Sequence, residues 1–87
     1  MRHLSKRKAA VFATASVVGP AEGYIGDPPA QCSVVAKDTL GRPMPAAVTG
    51  WRSSNALITS IDAAGMLTDL TEGEVTIQAL VAGTWWD

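Results

Sequence analysis

The chain has 87 residues, a length that fits one small domain able to bury only about 60% of the surface its unfolded form exposes. Hydrophobic residues make up 47% of it, much of that alanine and valine, which predicts a thin core of small side chains. The single cysteine, Cys32, excludes an intrachain disulfide, and with the single histidine, His3, it gives too few ligands for a thiolate or imidazole metal site.

The charges are unevenly distributed along the chain. The formal net charge is −1, but residues 1–8 hold four basic side chains and no acidic one, namely Arg2, Lys6, Arg7 and Lys8. Residues 9–87 carry three basic and all eight acidic residues, a formal charge of −5. This pattern predicts a basic N-terminal arm, residues 1–8, for a negative partner such as nucleic acid, an acidic protein surface or a membrane surface. A solvated terminus without a partner explains the charges equally well.

The N-terminal segment resembles a secretory signal only weakly. Basic residues do precede an apolar stretch, but that stretch is rich in alanine, contains Thr14 and Ser16 and has no leucine. We therefore expect no signal peptide. No run of the sequence approaches the ~20 apolar residues of a transmembrane helix, so we expect none. Among the negative partners considered for the arm, we do not favour a membrane.

Residues 9–87 form the predicted domain, and its first element is a strand. Valine and alanine alternate with other residues over residues 9–18, and a Gly-Pro pair follows, which indicates a strand that ends there. Neither of its faces is clearly polar, so the strand could be covered on both sides. Residues 19–30 contain three glycines and three prolines and predict a loop. Within this loop, Tyr24 and Ile25 are candidates for a short edge strand.

The next two predicted strands flank a turn. Residues 31–38 alternate and predict a strand, and residues 39–43 predict a turn centred on Gly41. Residues 46–51 predict the following strand, which directs Trp51 inward. A buried indole needs a partner for its N–H, and we expect a backbone carbonyl at a strand end to supply it.

The second half of the domain predicts three further strands separated by turns. They cover residues 57–62, 66–70 and 75–82. Turns at intervals of about 8 to 12 residues are typical of an all-β sandwich. The predicted core residues are Val34, Trp51, Ile61, Val75 and Ile77.

The chain ends with two adjacent tryptophans, Trp85 and Trp86. Neighbouring residues of a strand point to opposite faces, so both indoles cannot enter one core. Tryptophan and arginine are over-represented where binding energy concentrates at interfaces. The predicted interface therefore comprises Arg2, Lys6, Arg7, Lys8, Trp85 and Trp86.

Four short motifs follow one another along the domain. They are Val34-x-Ala36-x-Asp38 with Gly41-x-Pro43, Val48-Thr49-x-Trp51-x-Ser53-Ser54-Asn55, Ile58-x-x-Ile61-Asp62-x-x-Gly65-x-Leu67-Thr68, and Gly73-x-Val75-Thr76-Ile77-x-Ala79. In this order and spacing, residues 9–82 resemble the bacterial immunoglobulin-like domain of group 2, found in intimin- and invasin-type adhesins and in tailed-phage virion proteins. The resemblance implies an immunoglobulin-like β-sandwich of about seven strands with a structural or adhesive role. Gly50 is an extra residue relative to this pattern and predicts a β-bulge before Trp51.

The sequence offers no constellation of residues suited to catalysis, and we expect no enzyme. His3 lies in the arm, Cys32 is predicted to point inward, and Asp38, Asp62 and Asp69 lie at predicted turns, where aspartate caps the backbone. No Asp-x-Asp pattern suggests a calcium loop. We therefore expect no metal and no cofactor.

Together these expectations favour a non-enzymatic structural protein of a phage virion. An immunoglobulin-like domain with its own initiating methionine and no signal would decorate or cement the capsid, or lie at the neck or tail. Its partners would be the major capsid protein or other virion proteins, with homo-oligomers on the particle and no specific nucleic acid. The alternative is an exported bacterial cell-surface module for adhesion or carbohydrate binding, which requires residues 1–20 to be a signal. A third interpretation is one repeat trimmed from a longer adhesin.

Overall fold

The computed structural model describes residues 10–87, so the predicted basic arm lies outside the described part of the chain. Within residues 10–87 the regular structure consists of strands only. They are β1 (Phe12–Val18), β2 (Ala30–Gln31), β3 (Ser33–Asp38), β4 (Pro43–Met44), β5 (Val48–Ser53), β6 (Thr59–Ile61), β7 (Met66–Asp69), β8 (Ile77–Val81) and β9 (Thr84–Trp86). In this region no helix is long and apolar enough to cross a membrane.

The strand pairing defines two layers, and every pair is antiparallel. In the first layer β3 pairs with β1, while β2 and β6 both pair with β7. These pairs belong to two three-stranded sheets, β1-β3-β4 and β2-β7-β6, and because only Cys32 separates β2 from β3 we describe them together as the first layer. The two-residue β4 pairs with β3. The second layer has the order β5, β8, β9. The antiparallel strands confirm the predicted all-β fold, and their arrangement is consistent with a β-sandwich.

The strand β1 is covered on one face rather than on both. Ala15 is buried, whereas Thr14 and Ser16 are exposed. A register shift between Phe12 and Thr14 interrupts the alternation, so Phe12 packs against the core although it lies two residues from an exposed threonine. The prediction that β1 might be covered on both sides is therefore wrong, because nothing in residues 10–87 packs over the Thr14 side.

The core is as thin as the composition predicts. Its buried centre consists of Ala15, Ala36, Ala79 and Val81. Larger side chains surround this centre and are only partly buried: Phe12, Val17, Val34, Met44, Val48, Trp51 and Trp86. Of the predicted core residues, Val34 and Trp51 belong to this surrounding group, and Ile61, Val75 and Ile77 are also half-buried. Alanine fills the centre because the opposing sheets leave little space there.

The loop between β1 and β2 does not contain the predicted edge strand. Tyr24 is 78% exposed and Ile25 is 58% exposed. A local turn fixes them outward: the backbone N–H of Tyr24 donates to Oδ2 of Asp27 at 2.9 Å, and the N–H of Asp27 donates to the carbonyl of Tyr24 at 3.0 Å. The hydrogen bonds of this local turn outweigh the tendency of these apolar side chains to pack.

Four predicted strands start later than the sequence suggests, and they begin at Phe12, Val48, Thr59 and Ile77. The strand predicted at residue 57 begins at Thr59, because Asn55 organises a tight turn before it. Its side-chain oxygen accepts the N–H of Leu57 at 3.0 Å, and its carbonyl accepts the N–H groups of Ile58 and Thr59 at 3.1 Å each. Likewise, β8 begins at Ile77 rather than at residue 75.

Candidate functional site

The two tryptophans of β9 point to opposite faces, and only Trp86 enters the sandwich. Its ring stands edge-on to Phe12, with centroids 5.6 Å apart and an interplanar angle of 81°. Its Nε1–H donates to the carbonyl of Val81 at 3.2 Å. The expected bond from an indole to a backbone carbonyl is therefore made, among the described residues, by Trp86 rather than by Trp51. These contacts give Trp86 a role inside the domain, and its interface role stays a prediction.

Trp85 lies on the outer face of the sheet formed by β5, β8 and β9. The pairing register places it beside Leu80 of β8, and Leu80 beside Gly50 of β5. A Cβ atom built on Gly50 would lie 3.4 Å from Cη2 of Trp85, so the indole reaches across β8 and covers the glycine.

Arg52 completes the arrangement around Trp85. Its guanidinium carbon Cζ is 4.1 Å from the centroid of the Trp85 ring, which is a cation–π stack. Its Nε–H donates to Oε1 of Gln78, directly across the strand pair, at 2.7 Å. We call Arg52, Gln78, Leu80 and Trp85 the outer-face cluster. The stack and the hydrogen bond together fix the plane of the guanidinium.

The predicted β-bulge positions this cluster. Val48 pairs with Val81 and Gly50 pairs with Leu80, so Thr49 is the extra residue of β5. Because of this insertion, Val48 and Trp51 both pack against the core although they are three residues apart. Gly50 and Arg52 consequently face outward. The predicted bulge is present, but its extra residue is Thr49 rather than Gly50, and it determines which side chains of β5 reach Trp85.

A second surface feature is an apolar cleft at one end of the sandwich, which we call the end cleft. Its volume is about 360 Å³. It is lined by Phe12, Met44, Pro45, Ala46, Ala47, Thr49, Val81, Ala82 and Gly83. Phe12 and Val81 connect it to the core. The lining carries no titratable side chain, so the end cleft can accept an apolar group but offers no group for proton transfer or metal binding.

The aspartates predicted to cap turns divide into two types. Asp38 and Asp62 each accept hydrogen bonds from two backbone N–H groups of the following turn, as predicted. Asp69 instead lies at the end of β7, where its Oδ1 accepts the hydroxyl hydrogen of the buried Thr59 at 3.2 Å. All three therefore have structural roles.

Asp38 is the only one of these carboxylates that is buried. The backbone N–H of Arg42 is the main reason that its pKa lies below the ordinary value of an aspartate. The N–H of Leu40 and the Arg42 side chain, whose Nε lies 3.0 Å from Oδ2, lower it further, and desolvation acts in the opposite direction. A carboxylate held ionised in this way stabilises its turn and is a poor general acid.

Cys32 points inward, as the alternation predicts. Only 3% of it is exposed, and burial raises the pKa of its thiol. Its Sγ lies 2.9 Å from the position that a Cβ on Gly19 would occupy, so the loop after β1 covers it closely. A buried thiol with a raised pKa is a weak nucleophile. In residues 10–87, moreover, no three His, Cys, Asp or Glu side chains are placed to hold a metal ion together.

The fold and the outer-face cluster define a small all-β sandwich with a tryptophan and an arginine fixed on one sheet surface. Comparison with known proteins finds no matching family model, no matching curated protein and no matching solved structure. The resemblance to the bacterial immunoglobulin-like domain therefore stays a prediction. The sequence analysis includes Trp85 in the interface but not Arg52 or Gln78, because their position beside Trp85 depends on strand register. The extra residue Gly50, which predicted a β-bulge, was the one sequence feature that indicated this register.

Proposed function

We propose that this protein is a non-enzymatic structural module of a phage virion, an immunoglobulin-like domain that decorates or cements the capsid or lies at the neck or tail. The observation that carries the proposal is the outer-face cluster. Trp85 is held on the surface beside the exposed Arg52, although its neighbour Trp86 is packed against the core. Tryptophan and arginine fixed in place before binding lose little conformational entropy on association, so they are effective interface residues.

Two features of the sequence support the same proposal. The ordered motifs of residues 9–82 resemble a module found in virion proteins. The basic residues 1–8 would contact an acidic surface of the coat, while the domain itself carries a formal charge of −5. The proposed partners are the major capsid protein, other virion proteins and further copies of the chain on the particle.

The first test is quantitative mass spectrometry of gradient-purified particles from a lysate of the source organism. A copy number comparable with that of the main coat protein would assign the chain to the capsid or tail surface, and a few copies per particle would assign it to the neck, a vertex or the tail tip. Absence from the particles would contradict the proposal and favour the exported adhesion module, for which residues 1–20 would be missing from the mature protein.

A matched pair of variants tests the role of Trp85. Trp86→Ala should reduce the free energy of unfolding by about 2–4 kcal/mol, because it removes an aromatic ring packed against the core. Trp85→Ala should cost less than Trp86→Ala, because it removes the stack with Arg52 and the cover over Gly50 but no contact with the core, and it should abolish co-sedimentation with particles. Urea unfolding measures both losses. If Trp85→Ala unfolds the domain as strongly as Trp86→Ala, then Trp85 belongs to the core and the interface proposal is wrong.

Deletion of residues 1–8 tests the arm separately. We expect weaker binding to particles, and the binding that remains should depend less on salt, because a charged arm acts through screened attraction. Co-sedimentation at several salt concentrations measures this. Unchanged binding and unchanged salt dependence would show that the arm has no partner on the particle.

A further inference from the structure

We propose that the outer-face cluster binds one carboxylate group of a partner protein, an Asp or Glu side chain with an apolar residue beside it. The carboxylate would lie on the two Nη groups of Arg52, and the apolar neighbour would pack on Trp85 and Leu80. This inference rests on the proposed docking function and names the chemistry that the docking surface recognises.

The geometry of Arg52 leaves one edge of its guanidinium available. The Nε–H is committed to Gln78 at 2.7 Å, and one ring face is stacked on Trp85 at 4.1 Å. The remaining edge carries the two Nη groups, which match the two oxygens of a carboxylate in an end-on, bidentate arrangement. Because the stack and the Gln78 bond already orient this edge, a carboxylate need not order it on binding.

The positive charge of Arg52 is also not neutralised within residues 10–87. The ion pair found there joins Arg42 to Asp38, and residues 1–9 contain no acidic side chain that could pair with Arg52. Lys37, the third basic residue of the domain, belongs to β3 in the other layer. Arg52 is therefore the one basic side chain on the sheet formed by β5, β8 and β9, among the residues described.

The charge of the whole domain limits the kind of anion that this site accepts. Residues 9–87 have a formal charge of −5, which repels a chain of many negative charges such as nucleic acid. A single carboxylate experiences much less of this repulsion. Beside Arg52, the half-buried Trp85 and Leu80 provide apolar surface. A carboxylate flanked by an apolar side chain on a protein segment fits both conditions.

The test is an NMR titration of the full chain with the capped tripeptide N-acetyl-Leu-Glu-Leu-amide and with its Gln counterpart. We expect saturable shifts of the Trp85 indole N–H and the Arg52 Nε–H with the Glu peptide, and binding at least about tenfold weaker with the Gln peptide. Arg52→Gln should cause a similar loss. Arg52→Lys should also weaken binding severalfold, because lysine keeps the charge but loses the bidentate edge.

Lys37→Gln is the matched control, since it removes the same charge from an exposed position on the opposite sheet and should leave the titration unchanged. The spectra of all variants also report whether each is folded. Failure of the Glu peptide to bind, equal binding of the Gln peptide, or an equal effect of Lys37→Gln would each overturn the inference. Tighter binding of N-acetylneuraminic acid or of an oligothymidylate would instead assign the surface to a glycan or to nucleic acid. These results are independent of whether purified particles contain the chain, so the two proposals can fail separately.

Discussion

Two turns of this domain share one local design and yet depend on different residues. Asp38 and Gly41 stand three residues apart in the turn before β4, and Asp62 and Gly65 do so in the turn between β6 and β7. In both, Oδ1 of the aspartate accepts two backbone N–H groups at 2.9 Å, and the glycine N–H donates to the aspartate carbonyl at 3.0 Å. Both glycines have positive φ, 77° and 81° respectively.

The surroundings of the two turns differ, so the aspartate makes the contacts with the rest of the fold in one turn and the glycine makes them in the other. In the first turn the aspartate is buried and bound by Arg42, while a Cβ on Gly41 would meet nothing within 4 Å. In the second turn Asp62 is exposed, and the glycine is the buried residue. A Cβ on Gly65 would lie 2.9 Å from Cε2 of Trp51. The same turn motif therefore contacts the rest of the fold through Asp38 in the first turn and through Gly65 in the second.

The largest expected effect is that of Gly65→Ala. The variant combines the cost of a positive φ with a collision against Trp51, and we expect a loss of about 2–4 kcal/mol in the free energy of unfolding. Gly41→Ala, the matched control, should cost only the backbone term of about 1 kcal/mol. Urea unfolding of the two variants measures the difference. Equal losses would mean that Trp51 moves aside without cost and that the contrast between the turns is wrong.

The second expected effect concerns acid stability. Asp38→Asn keeps an oxygen for the backbone bonds but loses the charge that faces Arg42, so the variant should be less stable than the wild type at neutral pH. The folded pKa of Asp38 lies below the unfolded one, so its contribution is fully present above the unfolded value, ordinarily about 3.9. The stability gap between wild type and variant should narrow as the pH falls through that value and vanish below the folded pKa.

Asp62→Asn is the control for this experiment, because Asp62 caps an equivalent turn in an exposed position. We expect a smaller loss at neutral pH than for Asp38→Asn. Thermal unfolding between neutral and acid pH records both series. A larger loss for Asp62→Asn, or a gap for Asp38→Asn that widens on acidification, would contradict the assigned role of the buried acid.

The smallest expected effect is a coupling energy. In a Trp51→Leu background the ring atoms that crowd Gly65 are gone, so Gly65→Ala should cost about 1 kcal/mol less than in the wild type. Gly41→Ala should cost the same in both backgrounds. A double-mutant cycle from urea unfolding gives these values. Zero coupling between positions 51 and 65 would show that the penalty at Gly65 comes from the backbone alone.

Local features of this domain were readable from the sequence, and features that depend on packing between distant residues were not. The turns at Gly41 and Gly65 and the bulge at Gly50 were predicted, because glycine marks backbone conformations directly. Alternation also established that Trp85 and Trp86 face opposite ways. It did not establish which of them enters the core, because that depends on where Phe12 of β1 lies relative to β9.

The candidate site, too, was predictable in its local features but not in the contacts between distant residues. Trp85 was identified from its residue type, but its neighbours Arg52 and Gln78 come from strands that are far apart in the chain, and their meeting requires the register of β5 against β8. The loop residues Tyr24 and Ile25 were candidates for a short edge strand, yet a local turn closed by Asp27 holds them in solvent. A local hydrogen bond that competes with packing is hard to weigh from a single sequence.

The bulge at Thr49 has a consequence for solubility. In the part of the chain that the structure describes, β5 is one of the two edge strands of its sheet, and an edge strand offers free backbone groups to which a strand of a second molecule can pair. An inserted residue bends and twists such a strand, which makes it a poor template for sheet extension. When many copies are concentrated in a small volume, we expect this irregular edge to disfavour pairing of β5 with a second molecule, so the residue that orients Arg52 also limits sheet extension at this edge.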